Sequence, residues 1–252
     1  MYWNEEIETM DAERLRALQD ERLREQVRYT YDRVPFYKKM FDEAGAQPGD
    51  IRTAKDLEKL PFTSKTDLRD NYPYGLLAVP MEEIVRIHAS SGTTGKATVV
   101  GYTAGGLALW AFLTAPQPKS ADIYELSARA LTCAGGTRKD IIQVCYGYGL
   151  FTGGLGLHGG AERIGATVIP ASTGNTARQI TMLQDYGSTM FYCTPSYALY
   201  IGDTMEKNNI PVSSIHLKAG LFGAEPWTVR MKEEIEKRLG IRAYDIYGLS
   251  EI

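Results

Sequence analysis

The stretch Ile141–Pro170, IIQVCYGYGLFTGGLGLHGGAERIGATVIP, decides the fold. It opens on a short β-branched run, Ile141–Cys145, and closes on another, Ala166–Pro170, both of strand length. Between them Leu155–Ile164 reads as a helix, and Gly165 stands where a helix is expected to turn off. A strand, a helix and a second strand call for parallel pairing, because parallel neighbours need a long crossover that a tight turn cannot supply. The same alternation runs outward in both directions. Further strands are predicted at Ile84–Ala89, Thr98–Tyr102, Thr189–Cys193, Leu217–Phe222 and Ile241–Ile246. Helices are predicted at Thr176–Tyr186, Pro195–Lys207 and Pro226–Leu239, with Gly187 and Gly240 at helix ends. The pattern is that of an α/β fold of layered parallel or mixed sheets flanked by helices. In such sheets ligands gather beyond the carboxyl ends of the strands.

Residues 1–83 have a different texture, helical with breaks, and form a mainly helical N-terminal segment ahead of an α/β domain over 84–252. Asp11 is placed to cap a helix whose Leu15, Leu18, Leu23 and Val27 share one face. Pro35 is placed to open a second helix that Gly45 closes. Thr53 and Ser64 each have Asp three positions on (Asp56, Asp67), the reciprocal capping pattern with Asp in place of Glu.

Composition narrows the function classes. The 252 residues carry 28 Lys and Arg against 31 Asp and Glu, a net charge of −3 with no basic cluster, so nucleic acid is not an expected partner. An apolar fraction of 44% with 10% aromatics is that of a folded chain with a core. Cys133, Cys145 and Cys193 are odd in number and share no CxxC spacing, as expected of reduced thiols in a cytoplasmic protein. The opening MYWNEEIETMDAERLR lacks the apolar stretch of a signal peptide, and no apolar run is long enough to cross a bilayer.

Three segments carry chemistry. Ser90–Lys96, SSGTTGK, packs four hydroxyls, two glycines and a lysine into seven residues between two predicted strands. Glycines let a backbone turn tightly, and the resulting N–H groups, hydroxyls and lysine charge suit phosphate oxygens. The Walker spacing is not met, since Ser90 and Ala97 stand where that pattern needs Gly and Ser or Thr. The second segment, Tyr244–Glu251 (YDIYGLSE), offers Tyr247 as an aromatic face for a base, Ser250 as a hydroxyl for phosphate and Glu251 as a hard oxygen ligand for Mg²⁺. The third, Gly220–Trp227 (GLFGAEPW), passes from strand to turn to a helix opened by Pro226. There Glu225 is either a helix cap or a ligand contact, and Gly223 and Ala224 would let a flat ligand approach the backbone. Each has a bland alternative: a polar turn, an aromatic strand end, a capped helix.

Taken in order, SSGTTGK, GAEPW and YGLSE resemble the adenylate-forming (acyl-CoA synthetase) superfamily. LPFTSKTDLRDNYPYGLLAVP (Leu60–Pro80), YGYGLFTGGLGLHGGAERIGATVIP (Tyr146–Pro170), CTPSYALY (Cys193–Tyr200) and the opening YWNEEIETM resemble its phenylacetate–CoA ligase branch. The resemblance implies an AMP-forming ligase that joins an arylacetic acid, phenylacetate foremost, to ATP and passes the acyl group to coenzyme A. It implies that Ser90, Ser91, Gly92, Thr93, Thr94, Gly95 and Lys96 hold phosphates, with Thr93, Thr94, Lys96 and Glu251 carrying the catalytic charge neutralisation. Gly223, Ala224 and Glu225 would line the adenine site with Asp245, Ile246, Tyr247 and Gly248, while Ser250 meets phosphate and Glu251 binds Mg²⁺. Tyr146, Phe151, Gly153, Gly154 and Ala224 would form the aryl-acid pocket, the two rings as walls and the glycines as open room; ordinary core packing is the other reading of those aromatics. His158 is expected to have no catalytic duty. Partners implied are the acid, ATP and coenzyme A, with a homodimer left open and neither nucleic acid nor membrane. An adenylyl transferase like coenzyme F390 synthetase, or a non-catalytic ATP-binding fragment, is the alternative.

Two departures from the family pattern stand out. The chain stops at Ile252, directly after the Mg²⁺-ligand motif, so the resemblance implies an N-terminal portion without the hinge and mobile C-terminal domain. Ala104–Ser127, AGGLALWAFLTAPQPKSADIYELS, is longer than the family's single helix there and is broken by Gly105-Gly106, Pro116 and Pro118.

Overall fold

The computed structural model describes residues 1–90, 96–103 and 123–248. Contacts divide the chain into two units, one of Asn4–Asp122 with Ser250–Ile252 and one of Met1–Trp3 with Ile123–Leu249.

The first unit is built from α1 (Glu5–Glu8), α2 (Ala12–Arg33), α3 (Pro35–Glu43) and α4 (Lys65–Asp70), followed by β1 (Ile84–Ala89) and β2 (Val99–Thr103). Its helices start where the capping chemistry places them. The Asp11 carboxylate accepts from the Glu13 and Arg14 amides at the head of α2, and Ser64 and Asp67 exchange reciprocal bonds at the head of α4. The same device at Thr53 and Asp56 opens a 3₁₀ turn over Ala54–Lys59 instead of an α-helix. Pro35 stands at the first position of α3, and Gly45, with φ of +68°, takes the left-handed turn beyond its end. The predicted apolar face of α2 is only half used. Val27 is buried with Phe41 and Ile51, whereas Leu15 is 36% exposed. β1 and β2 pair antiparallel, and Val100 and Tyr102 share a core with Val34, Leu76 and Ala78.

The second unit is a three-layer α/β/α body. Strands β3 (Ile141–Val144), β4 (Thr167–Ile169), β5 (Met190–Cys193), β6 (Ala219–Phe222) and β7 (Arg242–Asp245) form one wholly parallel sheet in the order β4-β3-β5-β6-β7. The helices are α5 (Ile123–Cys133), α6 (Thr152–Arg163), α7 (Thr176–Asp185), α8 (Pro195–Lys207) and α9 (Val229–Leu239). Period-two alternation sends Met190 and Tyr192 to one face, with Leu131, Leu157 and Ala161 of α5 and α6. Phe191 and Cys193 go to the other, with Leu183, Ile201 and Ile235 of α7, α8 and α9. Burial on both faces explains why the strands read as continuous apolar runs. Fully burying each such side chain contributes about 1.5–3 kcal/mol.

Two predicted helix starts move by three residues each. The helix placed from Pro226 begins at Val229 behind a Thr228 cap, because the Thr228 hydroxyl accepts the Met231 amide while Pro226 remains in the loop. The helix placed from Leu155 begins three residues earlier at Thr152, so its glycines are helical. Of the atypical stretch 104–127, the last residues open α5, and 104–122 lie outside the described residues.

Candidate active site

The strand order reverses at β3: the chain steps outward to β4 and returns on the far side as β5. A crevice opens beyond the carboxyl ends of strands at such a switch. A cavity of about 350 Å³ lies there, lined by Cys145, Tyr146, Thr173, Gly174, Thr194, Ser196, Tyr197 and Tyr200. The wall at Thr173 and Gly174 is held from behind. Gln179, on α7, donates to the carbonyls of Ser172 (2.8 Å) and Gly174 (3.3 Å) and accepts from Gln143 of β3 at 2.7 Å. Ser188 completes this buried amide network through Gln143 Oε1.

Tyr146 follows β3 and is buried, its hydroxyl donating to the Cys193 carbonyl at 2.7 Å. Burial holds its pKa far above that of a free phenol, so the proton stays in that bond. The Phe151 ring lies 5.5 Å from the Tyr146 ring at 49° and is 43% exposed. Burial likewise pushes the Cys145 thiol up to about 12, against the Gln143 amide, so the one thiol lining the cavity is a neutral wall and not a nucleophile.

The expected room at Gly153 and Gly154 is filled. A Cβ at Gly153 would fall 2.5 Å from the Phe151 ring, and one at Gly154 would fall 2.3 Å from the Gly147 carbonyl oxygen. The glycines are there for close packing of the loop on the helix.

The Gly223–Glu225 turn follows β6. A Cβ at Gly223 would lie 2.3 Å from the Ile246 carbonyl oxygen, which brings the loops after β6 and β7 into backbone contact. Ala224 has φ of +68°, a left-handed conformation that costs a non-glycine residue roughly 1 kcal/mol. Glu225 does cap a helix, though not the one that follows it: its Oε1 accepts the Ser196 amide at 2.7 Å at the head of α8, where Thr194 supplies the other cap. Asp245 accepts from the Trp227 indole at 2.8 Å. Tyr247, 80% exposed, presents its ring beyond β7, beside Ile246 and Gly248. The carboxyl ends of β3, β5, β6 and β7 thus bring together the predicted aryl-acid and adenine residues of this unit.

Ser90 and Lys96 belong to the other unit. Ser90 closes the base of the β1–β2 loop, its amide donating to the Thr98 carbonyl and its hydroxyl accepting the Thr98 amide, both at 2.9 Å. The exposed Lys96 ammonium lies 5.2 Å from the Tyr72 ring centre. Ser91, Gly92, Thr93, Thr94 and Gly95 lie outside the described residues, as do Ser250 and Glu251. The Mg²⁺ expectation rests on Glu251, and among the described residues no group of three or more His, Cys, Asp or Glu could hold a metal ion.

His158 is anchored and not isolated. Its Nδ1 is 3.1 Å from the Tyr148 hydroxyl, and its Nε2 is 3.1 Å from a Glu162 oxygen. Sequence reasoning missed Thr173, Gly174, Tyr197, Tyr200 and the Gln143–Gln179 pair. The available signal was Gln143 itself, a polar residue inside the apolar run Ile141–Cys145.

Comparison with known proteins agrees with this geometry. The family model for AMP-binding enzymes matches residues 5–252. The phenylacetate-coenzyme A ligase of Pseudomonas putida is 51% identical over 246 residues, covering 98% of this chain and 53% of that protein. The enzyme of the same name from Escherichia coli K12 is 52% identical, covering 98% of this chain and 54% of its own length. The chain therefore spans about half the length of these relatives. Among solved structures, 2-hydroxyisobutyryl-CoA ligase in complex with 2-HIB-AMP and CoA superposes with a TM-score of 0.89 at 29% identity, covering 100% of this chain and 52% of that one. Among the described residues no helix is long and apolar enough to cross a membrane. Motif order, the parallel sheet with its crevice, and a match running from residue 5 to the last place the chain in the AMP-binding enzyme family.

Proposed function

We propose that this chain is the part of an AMP-forming arylacetate–CoA ligase that binds the acid and ATP, with phenylacetate as the acid. The observation that carries the reading is Tyr146, which lines the cavity at the switch point of the sheet and has the Phe151 ring packed against it. In-line attack of a carboxylate on the α-phosphorus needs positioning and charge neutralisation more than proton transfer. Tyr146, fixed by its bond to Cys193, and Phe151 position the ring of the acid. Gly223, Ala224 and Glu225 with Asp245, Ile246, Tyr247 and Gly248 hold the adenine, the exposed Tyr247 ring serving as its stacking face. Ser90 to Gly95 with Lys96 surround the phosphates, and Thr93, Thr94 and Lys96 offset charge as pyrophosphate leaves. Ser250 would contact phosphate, and Mg²⁺, held through Glu251, would neutralise the nucleotide's phosphates. Kept protonated by burial, the Cys145 thiol gives the cavity no thiolate to compete with coenzyme A for the acyl group. Free Cys133, Cys145 and Cys193 support a cytoplasmic setting.

Pyrophosphate exchange into ATP, run across a series of arylacetic acids, tests the reading. Acid-dependent exchange, or acid binding that requires Mg·ATP, supports it. ATP binding with no response to any acid replaces it with a nucleotide-binding module.

A further inference from the structure

We infer that Gly153 sets the width of acid the site accepts, by seating the Phe151 ring against Tyr146. The inference rests on the reading above, that Tyr146 and Phe151 face the aryl group.

Three observations carry it. Ring centroids 5.5 Å apart are in direct contact, so no third ring fits between Tyr146 and Phe151 as they stand. Tyr146 cannot give way, being buried and held through its hydroxyl, whereas Phe151 is 43% exposed and is the wall that can move. Phe151 lies where it does because residue 153 has no side chain: a Cβ there would meet Cε1 at 2.5 Å and Cζ at 2.7 Å. Those atoms are the far end of a rotatable side chain, so an added methyl displaces the ring and leaves the helix in place. At Gly154 the obstacle is backbone, and no such relief exists. Gly153 is therefore a seat and Phe151 the part it seats. Unseating the ring opens space beside Tyr146 and favours broader acids over phenylacetate.

The test is a double-mutant cycle on the 252-residue chain, with NMR titration of phenylacetate and 1-naphthylacetate in the presence of Mg·ATP. Gly153→Ala is expected to raise the affinity ratio of naphthylacetate to phenylacetate about tenfold, the scale of one methylene in a pocket. Phe151→Ala should raise it at least as much. Adding Gly153→Ala to Phe151→Ala should change the ratio less than about twofold, because the glycine acts only through the ring. An unchanged ratio in Gly153→Ala, or an equal effect with Phe151 absent, overturns the inference while leaving the acid site standing. Failure of the parent chain to bind either acid overturns the acid site and the inference with it. A nuclear Overhauser contact between the Phe151 ring and the Gly153 α-protons reports the seat without any ligand. Its absence from the parent chain also overturns the inference.

Discussion

Asp140→Asn tests whether the end of the sheet opposite the candidate site is clamped by charge. Asp140 precedes β3 and is 4% exposed. Its carboxylate accepts from the Thr189 hydroxyl at 2.7 Å, the Thr137 amide at 2.7 Å and the Thr137 hydroxyl at 2.9 Å. The Lys218 ammonium sits 2.8 and 2.9 Å from its two oxygens. One side chain thus ties the entries of β3, β5 and β6. Removing one partner of a buried, charge-assisted cluster costs about 3–5 kcal/mol, and a net hydrogen bond to a charged group about 1.5–3 kcal/mol. Lys218 is half-exposed and its share is screened, so Asp140→Asn should cost about 3 kcal/mol. That corresponds to a fall in Tm of about 6–12 °C for a chain of this size. Burial is the largest single influence on the carboxyl and pushes its pKa up. Lys218, Thr189 and Thr137 together outweigh it, and the folded pKa lies below the ordinary value of 3.8. The stabilisation is therefore fully present above about pH 4 and is lost as pH falls through the folded pKa. Urea unfolding followed by circular dichroism should show a constant gap between parent and variant from about pH 8 to 5, narrowing below about 4. A gap under about 1 kcal/mol at neutral pH, or one that stays constant down to about pH 3, refutes the clamp.

Other perturbations act at the site end. Glu225→Ala removes a carboxylate from the first turn of α8 and should cost about 1 kcal/mol in urea unfolding, while Glu225→Gln, which keeps an acceptor, should cost less than half of that. Gln179→Leu removes one acceptor of the Gln143 amide, which keeps its bonds to the Gln179 backbone carbonyl and to Ser188, and takes the Gln179 donor from the Ser172 carbonyl; it should cost about 1–3 kcal/mol and speed amide exchange at Ser172, whose amide bonds to the Val144 carbonyl. Gly154→Ala, with its methyl 2.3 Å from a backbone oxygen, should destabilise by about 2–4 kcal/mol; Gly153→Ala, which displaces only a ring, should lie within about 1 kcal/mol of the parent.

Most of the fold was legible because its signals are local. Asp11, Ser64 and Pro35 act within three or four residues of themselves, and the helices begin there. The strand runs were legible because burial on both faces removes polar residues from them. Pro226 misled because two start signals lie two residues apart. A hydroxyl that bonds the helix, at Thr228, prevails over a ring that only fixes φ. The sequence named Tyr146, Phe151 and Glu225 but not their partners, since Cys193 and Ser196 lie 47 and 29 residues away. Pairings of that separation depend on strand order, which periodicity does not encode.

The glycines of Gly153–Gly160 show where a sequence reading of emptiness goes wrong. A residue without a side chain suggests space for a ligand, yet the methyl that Gly153, Gly156, Gly159 or Gly160 lacks would fall within 2.5 Å of Phe151, Ile123, Tyr124 or Ser127. Space left by a glycine in a packed interior is taken by its neighbours, since a void forfeits their dispersion contacts. The glycine-rich run is thus what lets α5 pack closely along α6 and Phe151 fold back over its first turn. Selectivity at such a site resides in whichever neighbour fills the gap and can still move. Ile123, Tyr124 and Ser127 belong to a helix packed along the run, whereas Phe151 stands at the solvent edge of its loop, so in the proposed acid site the freedom to admit a ligand is concentrated in that one ring.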